Sequence, residues 1–546
     1  MKYKTLDTSS ISKDNQKRIL DIIPAEEKYS YVAATVNNRI RELTYVLKEP
    51  SDVKLLDFKD TQAVKIYETS LRYLVAMATH RLYPQLDIRF SYNISRSIFC
   101  QILTPGFHTD LKFVDSIQAE MQRLIKADLP IERKLVTREE AAEIYKANHY
   151  DDKIDILKYR PDDKVHLYSC DGYVNYLYGY MVPSTGFLTH YKMKLFAPGF
   201  IIQYPRAECG GIIPEFEEDR TFGRTLKESY QWAVKVGTET VSKINEYVLK
   251  NGSVDFINMC ESNHNNMLAE LGKKIQQDID SIRLICIAGP SSSGKTTFAN
   301  RLRIELLSLG IRPIRISIDD YYKPKSEIPL DEDGEVDLEC LQALDTELFN
   351  SDMLRLINGE EVQLPRFDFK LGKRVPGRIL KVDQNQPIII EGIHALNDEL
   401  TPDITKHQKF KIYIAPQAQI CLDNHNPLSL TDLRLLRRIV RDNKFRKSSA
   451  EETISMWPSV RRGEFKWIYK NQEGADYVFN SLLPYELCIM KKHALPILTK
   501  IPNDSPYYIK ANRLIKFLKY FVDIDDEVVP NNSLMREFIG GSCFEA

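Results

Sequence analysis

The clearest signal in the sequence is a change in how its apolar residues are spaced. Over residues 224–280 they recur at helical intervals, as in Trp232, Val236, Val241 and Ile244, with few turn signals, which predicts a helical connector. Short apolar runs follow at 284–288, 314–318, 388–390 and 412–414, alternating with helical stretches. Runs that short and that apolar suit strands covered on both faces, so this part is predicted to be α/β, a parallel sheet between helical layers. Before residue 215 strand-like runs and helices mix with turns such as Val182-Pro183-Ser184-Thr185-Gly186 and Cys209-Gly210-Gly211, an α+β pattern. Helical spacing returns at Leu514, Ile515, Leu518 and Phe521, and a polar end is expected after it. These shifts divide the chain into residues 1–60, 61–215, 216–280, 281–500 and 501–546.

Composition narrows the class. The 546 residues carry 75 Lys+Arg against 76 Asp+Glu, and a formal charge of −1 offers no overall attraction to a polyanion. Contact with nucleic acid would need a local basic patch. A hydrophobic fraction of 43% over this length suits several domains. The start, MKYKTLDTSS, lacks the apolar stretch of a secretory leader, and no run approaches the roughly 18 apolar residues of a membrane span. Nine dispersed cysteines with no CxxC pair fit a reducing cytoplasm better than a disulfide framework or zinc site.

The candidate chemistry begins with Gly289-Pro290-Ser291-Ser292-Ser293-Gly294-Lys295-Thr296, which fits G-x-x-x-x-G-K-[ST] and is followed by Thr297. It follows the apolar run ending at Ala288 and opens a helical stretch through Phe298, Leu302 and Leu306, the context the motif requires. Small residues let successive backbone N–H groups face phosphates at a helix N-terminus, whose dipole favours negative charge. Lys295 is expected to neutralise the β- and γ-oxygens of ATP, and Thr296 to ligate Mg²⁺.

Later runs deliver acids to the edge where open α/β sheets bind ligands. Residues 314–318 lead into Asp319-Asp320-Tyr321-Tyr322; a carboxylate there is placed to take a proton from an attacking hydroxyl, the alternative being that both aspartates cap a helix. Residues 387–390 end in Glu391-Gly392, and Glu391 is a candidate for orienting Mg²⁺ or its waters, against a plain solvated acid. His394 reads as a packed or capping residue. In LTDLRLLRRIVRD, residues 430–442, Leu433, Leu435, Leu436, Ile439 and Val440 fill one helix face while Arg434, Arg437, Arg438 and Arg441 fill the other. No acid appears to balance that face in the pattern alone, so it is expected to form a lid over the transferred phosphate, or else a solvated basic face.

The ordered set GPSSSGKTT, IDDYY, LPRFDF, IIIEGIHALN and DLRLLRRIVRD, within about 282–498, resembles the uridine kinase and phosphoribulokinase family of P-loop kinases. The resemblance implies ATP and Mg²⁺ as cofactors and phosphorylation of the 5′-hydroxyl of a nucleoside. It puts the general base on Asp319 and a matching aromatic on Tyr322. The acid holding the ribose hydroxyls falls within Asp337-Leu338-Glu339, so both Asp337 and Glu339 fit. Uridine kinases carry a tyrosine and then a histidine near the segment Pro365-Arg366-Phe367-Asp368-Phe369; here those positions are Phe367 and Gly372, so the base pocket departs from the pattern, with Arg366 and Lys373 as substitute donors.

Residues 31–206 resemble another family. YVAATVNNRIRELTYVLKEPSDVKLLDF is similar to part of a TGS domain, and RYLVAMATHRLYP with YMVPSTGFLTHYKMKLFAPGF is similar to the second, editing domain of threonyl-tRNA synthetase. The H-x-x-x-H and C-x-x-x-H positions of that editing site are occupied here by Thr69, Tyr73, Leu177 and Met181, which implies that hydrolytic editing is absent. The ending Met535-Arg536-Glu537-Phe538-Ile539-Gly540-Gly541-Ser542 also resembles that of bacterial chains with this domain order. The partners implied are a small nucleoside-like acceptor and a weak or vestigial tRNA contact, with no membrane and with a homo-oligomer left open. The alternatives are an RNA-responsive NTPase and a sugar-phosphate kinase.

Overall fold

A computed structural model describes residues 3–544 except 218–219, 332–333, 335, 369–370, 384 and 418–419. Its second half is built on five parallel strands in the spatial order Ile314–Ser317, Ile388–Glu391, Leu284–Ala288, Lys409–Ala415 and Tyr477–Asn480. Every residue of Leu284–Ala288 and Ile388–Glu391 is buried, as expected of strands covered on both faces. Four of the five are the apolar runs read from the sequence; Tyr477–Asn480 escapes notice because four residues ending in Asn leave little signal. A two-stranded arm, Glu361–Asp368 with Lys373–Lys381, projects beyond the sheet and was also invisible to periodicity.

Register fixes the functional edge. Ile287 lies opposite Glu391, and Glu391 opposite Ser317, so the phosphate loop, Glu391 and Asp319 leave adjacent strands at the same end. The phosphate-loop helix Lys295–Ser308 returns along the sheet and buries Phe298, Leu302 and Leu306 with Leu268, Leu271 and Ile275 of helix Ser253–Gln277 in one apolar cluster.

Among the described residues the first half carries three antiparallel sheets of three or four strands and a two-stranded one, Lys17–Arg18 with Val46–Leu47. One orders Lys4–Thr5, Val53–Leu56, Ala33–Val36 and Arg39–Arg41; a second Lys192–Phe196, Gly199–Gln203, Ser97–Ile102 and Ile88–Ile94; a third Tyr173–Asn175, Lys164–Cys170 and Glu132–Thr137. Helix Thr61–Leu82 starts where the Asp60 carboxylate accepts the Gln62 and Ala63 N–H groups, and it is buried along most of its length. Among the described residues no helix is long and apolar enough to cross a membrane.

The interior runs through both halves. Ala141, Tyr145, Ile156, Val165 and Leu167 share an apolar cluster with Ile244, Leu433, Leu487 and Phe521. A short hairpin, Cys421–Asp423 with Asn426–Pro427, reaches from the α/β half into the α+β half. There the Lys153 ammonium donates to Asp423 at 2.8 Å, both side chains being essentially buried. The chain end departs from the polar segment expected: Leu534, Met535, Phe538 and Ile539 are buried, because apolar residues three and four apart gather on one side of a short turn.

Removing one partner of a buried ion pair leaves the other charge uncompensated. Lys153→Met is therefore expected to destabilise the chain by about 3–5 kcal/mol, measured by denaturant unfolding. A loss under about 1 kcal/mol would show that the Asn426 amide and the His425 N–H satisfy Asp423 without Lys153.

Candidate functional site

The phosphate loop is shaped by close approach. An added Cβ at Gly289 would lie 1.9 Å from the Ile414 carbonyl oxygen, and Gly294 sits at φ +91°, so neither position takes a side chain. The Ser293 N–H donates to Pro290 O at 3.2 Å and the Phe298 N–H to Gly294 O at 3.0 Å, closing the loop onto its helix. Lys295 folds back, its ammonium 3.0 Å from Gly289 O and 3.3 Å from Pro290 O. The Ser292 and Ser293 hydroxyls are buried without a hydrogen-bond partner. Orphaned donors in a glycine-shaped cradle at a helix N-terminus fit a polyphosphate, with Lys295 free to swing onto it. Thr296, half-buried at the helix start, and Glu391 at the adjoining strand end supply the oxygen atoms a Mg²⁺ ion held partly by phosphate would use.

Three carboxylates converge on this end of the sheet. Asp319 lies on the floor of a cleft, hemmed in by protein yet open to water; that partial burial raises its pKa, opposed by Lys295, Arg446 and Arg441. Glu391 is pushed up to about 7 by burial first and by the Asp319 charge second, again opposed by Lys295. Glu339 is pushed up to about 7 by burial and by neighbouring Glu464, opposed by Arg438 and Lys295. Three acids whose hold on the proton is strengthened by burial thus gather around one lysine at the end of the sheet.

The arginine helix Leu430–Phe445 corrects the sequence reading, since its cationic face has acids after all. Arg434 pairs with Glu464 and donates to Ser291 O at 3.1 Å. Arg437 is 0% exposed and donates to Glu486 at 3.1 Å and to Ser481 O at 2.8 Å, which makes it an interior brace rather than a lid residue. Arg438 lies 3.2 Å from Asp442 and donates to Ser291 Oγ at 2.9 Å; Arg441 donates to Asp442 at 2.9 Å. Glu464 and Glu486 come from later helices, outside residues 430–442, whereas Asp442 lies within that stretch, four residues after Arg438 on the same face, and was passed over. Of the four, Arg438 and Arg441 face the Asp319–Glu339 cleft.

Asp337 and Glu339 have different surroundings. The Asp337 carboxylate accepts the Glu339 N–H at 3.1 Å and so holds a turn, while the Glu339 carboxylate faces Lys295 and Arg438. Glu339 is held from behind by His394, whose Nε2 is 3.0 Å from Glu339 O; burial lowers that imidazole to about 4, keeping it neutral. The chain passes so close that a Cβ at Gly463 would lie 2.3 Å from Glu339 Cβ. Tyr322 packs edge-on to Phe367 with centroids 5.8 Å apart, and Asp320 accepts the Phe367 N–H at 3.2 Å. Arg366 and Lys373 are exposed on the arm, and Gly372 turns its tip at φ +63°; Phe369 lies outside the described residues. Sequence reasoning missed Glu464, which accepts the Ser291 N–H at 3.2 Å, and Arg446 beside Asp319, because nothing in their spacing marks them.

Residues 284–486 match the model of the phosphoribulokinase/uridine kinase family. A uridine kinase of Bacillus pumilus is 32% identical over 179 residues, 33% of this chain and 76% of that protein. The chain belongs to the phosphoribulokinase/uridine kinase family. Its N-terminal part is similar to a threonine–tRNA ligase of Syntrophomonas wolfei, 32% identical over 181 residues, 33% of this chain; the chain spans only 28% of that ligase. Among solved structures, a Bacillus stearothermophilus chain described as a possible uridine kinase is 20% identical and covered over 100% of its length, 38% of this chain, with a TM-score of 0.23.

In the ligase-like part the four residues at the motif positions are packed into the interior. Thr69 donates to Lys65 O at 2.9 Å, Tyr73 donates to Tyr173 O at 2.9 Å, and Leu177 and Met181 are buried. Beside them Arg72 holds His425 O, Asn175 meets His425 Nδ1 at 2.8 Å, and the Tyr178 N–H donates to Asn426 at 2.7 Å. The hairpin of the α/β half thus lies against the segment that carries Thr69 and Leu177, and burial holds His425 neutral. No deacylation of mischarged threonyl-type tRNA is expected from the purified chain; hydrolysis that is lost when residues 1–215 are deleted would contradict this.

The raised carboxyls also set a pH dependence. An unfolded glutamate ionises near 4.5, whereas Glu339 and Glu391 hold their protons to about 7, so their contribution to stability is full below about 4.5 and is lost as pH rises through about 7. Denaturation midpoints are expected to fall across that window, with a smaller fall in Glu339→Gln and Glu391→Gln. An unchanged slope in both variants would exclude these two groups.

Proposed function

We propose that the chain transfers the γ-phosphoryl group of ATP to the 5′-hydroxyl of a ribonucleoside. The observation that supports this reading most is the meeting of Lys295, Asp319, Glu339 and Glu391 at one sheet edge beside a phosphate loop with orphaned hydroxyls. ATP with Mg²⁺ supplies the electrophilic phosphorus and screens its charge. The chain's own work is then positioning and electrostatics, since phosphoryl transfer asks for little covalent chemistry from the protein.

In this reading Glu339 accepts from the vicinal ribose hydroxyls and sets the 5′-hydroxyl against Asp319. Asp319 takes the proton as the hydroxyl attacks; its raised proton affinity suits a base, and Arg441 and Arg446 keep it ionised enough to act. Arg438 and Lys295 hold the negative charge that builds on the transferred oxygens. Phe367 and Tyr322 offer ring surface to a base but no uracil-specific hydrogen bond of the tyrosine–histidine kind, so selection among bases departs from that of uridine kinases.

Asp319→Asn should lower kcat by about 10²–10⁴-fold with little change in ATP affinity, because an amide cannot take the proton. Near-normal turnover would remove Asp319 from the base role. Across uridine, cytidine, adenosine, guanosine, inosine and their 2′-deoxy forms, loss of the 2′-hydroxyl should cost about 10–100-fold in kcat/KM by leaving a buried acceptor unpaired. Indifference to that hydroxyl, strong preference for uridine, or turnover of sugar phosphates alone would each move the acceptor contacts elsewhere.

A further inference from the structure

Residues 533–541, far from the kinase motifs in sequence, lie across the phosphate loop. The Glu537 carboxylate accepts the Thr297 N–H at 3.0 Å, in the first turn of the loop helix. Leu534 covers Gly294, where an added Cβ would lie 2.6 Å from a leucine methyl carbon. The Phe538 ring sits 5.0 Å from the Arg437 guanidinium, which itself donates to Ser292 O at 3.4 Å. Two further ties hold the segment: Lys444 donates to Ile539 O, and the Ser533 hydroxyl donates to Glu261, the acid that pairs with Arg301 of the loop helix.

The chemistry of these contacts is that of an anion site with an internal occupant. N–H groups in the first turn of a phosphate-loop helix are donors for phosphate, and a carboxylate is the side chain such a helix end attracts. Glu537 engages one of those donors while the Ser292 and Ser293 hydroxyls deeper in the loop stay without partners, so the occupant fills only part of the cradle. Its charge also lies close enough to Glu391 to strengthen that group's hold on its proton.

We propose that residues 533–541 are a built-in latch on the donor site: Glu537 and Leu534 occupy the mouth of the phosphate loop, and a nucleotide polyphosphate binds by displacing them. Two anions cannot share the Thr297 N–H, and a polyphosphate brings more charge and reaches more donors than one carboxylate. Nucleotide binding is thereby coupled to release of the chain's end. This rests on the donor-site reading given above.

The test is a titration of the full chain with Mg²⁺–ATP, together with amide hydrogen exchange of residues 533–541 with and without nucleotide. Glu537→Ala is expected to bind Mg²⁺–ATP about tenfold more tightly, the scale of one charge-assisted hydrogen bond, and Mg²⁺–ATP is expected to speed exchange in 533–541 of the unmodified chain. Equal or weaker binding by Glu537→Ala, or a segment as protected with nucleotide as without it, overturns the latch. Lys295→Ala separates the two ideas. Lys295-dependent binding that ignores Glu537 sinks the latch alone, whereas no Lys295-dependent binding in either background sinks the donor site and the latch with it.

Discussion

The arrangement depends on neutralising buried cationic charge around the arginine helix. A guanidinium removed from water is costly unless an acid and carbonyls surround it. Here Glu464, Glu486 and Asp442 do so for Arg434, Arg437, Arg438 and Arg441, while the remaining donors of the first three reach Ser291 and Ser292 of the phosphate loop. The loop is therefore held from outside by a helix whose charges are themselves held by two later segments and by its own last turn. At the helix start, Asp432 receives Lys65, Lys510 and Arg513, which draws Asp432 well below the usual carboxylate range and ties in both the α+β half and the chain's end.

This linkage explains why two halves with unrelated likenesses share one interior. The hairpin Cys421–Asp423 and Asn426–Pro427 puts Asp423 beside Lys153 and His425 among Phe90, Tyr150 and Asn175, so that Lys153 and Asn175 of the α+β half add to the partners the hairpin supplies itself. Buried polar groups that are satisfied only across such a boundary make separation costly. Across this boundary Thr69, Leu177 and Met181 are buried in the α+β half beside the hairpin.

At the site itself, proximity does what residue type alone does not. Asp319, Glu339 and Glu391 are ordinary carboxylates in the sequence; crowded by protein around Lys295, they compete for one cation, and each holds its proton more tightly than in solution. Asp337, two residues from Glu339, is spent on a turn. Which of the two acids faces the cleft is set by the backbone passing Gly463, a contact more than a hundred residues away.

Much of this was legible in the sequence for local reasons. The phosphate loop, four of the five parallel strands and the acids at their ends follow from motif spacing and runs of apolar residues, because those features act within a few residues of one another. What tertiary structure decided are the pairings across long separations: the acids opposite the arginine helix, Glu339 rather than Asp337 in the cleft, the hairpin in the ligase-like half, and Glu537 on the phosphate loop. A carboxylate's partner is set by where the fold brings it, and Glu537 meets Thr297 across 240 residues of chain that carry no local signal of the encounter.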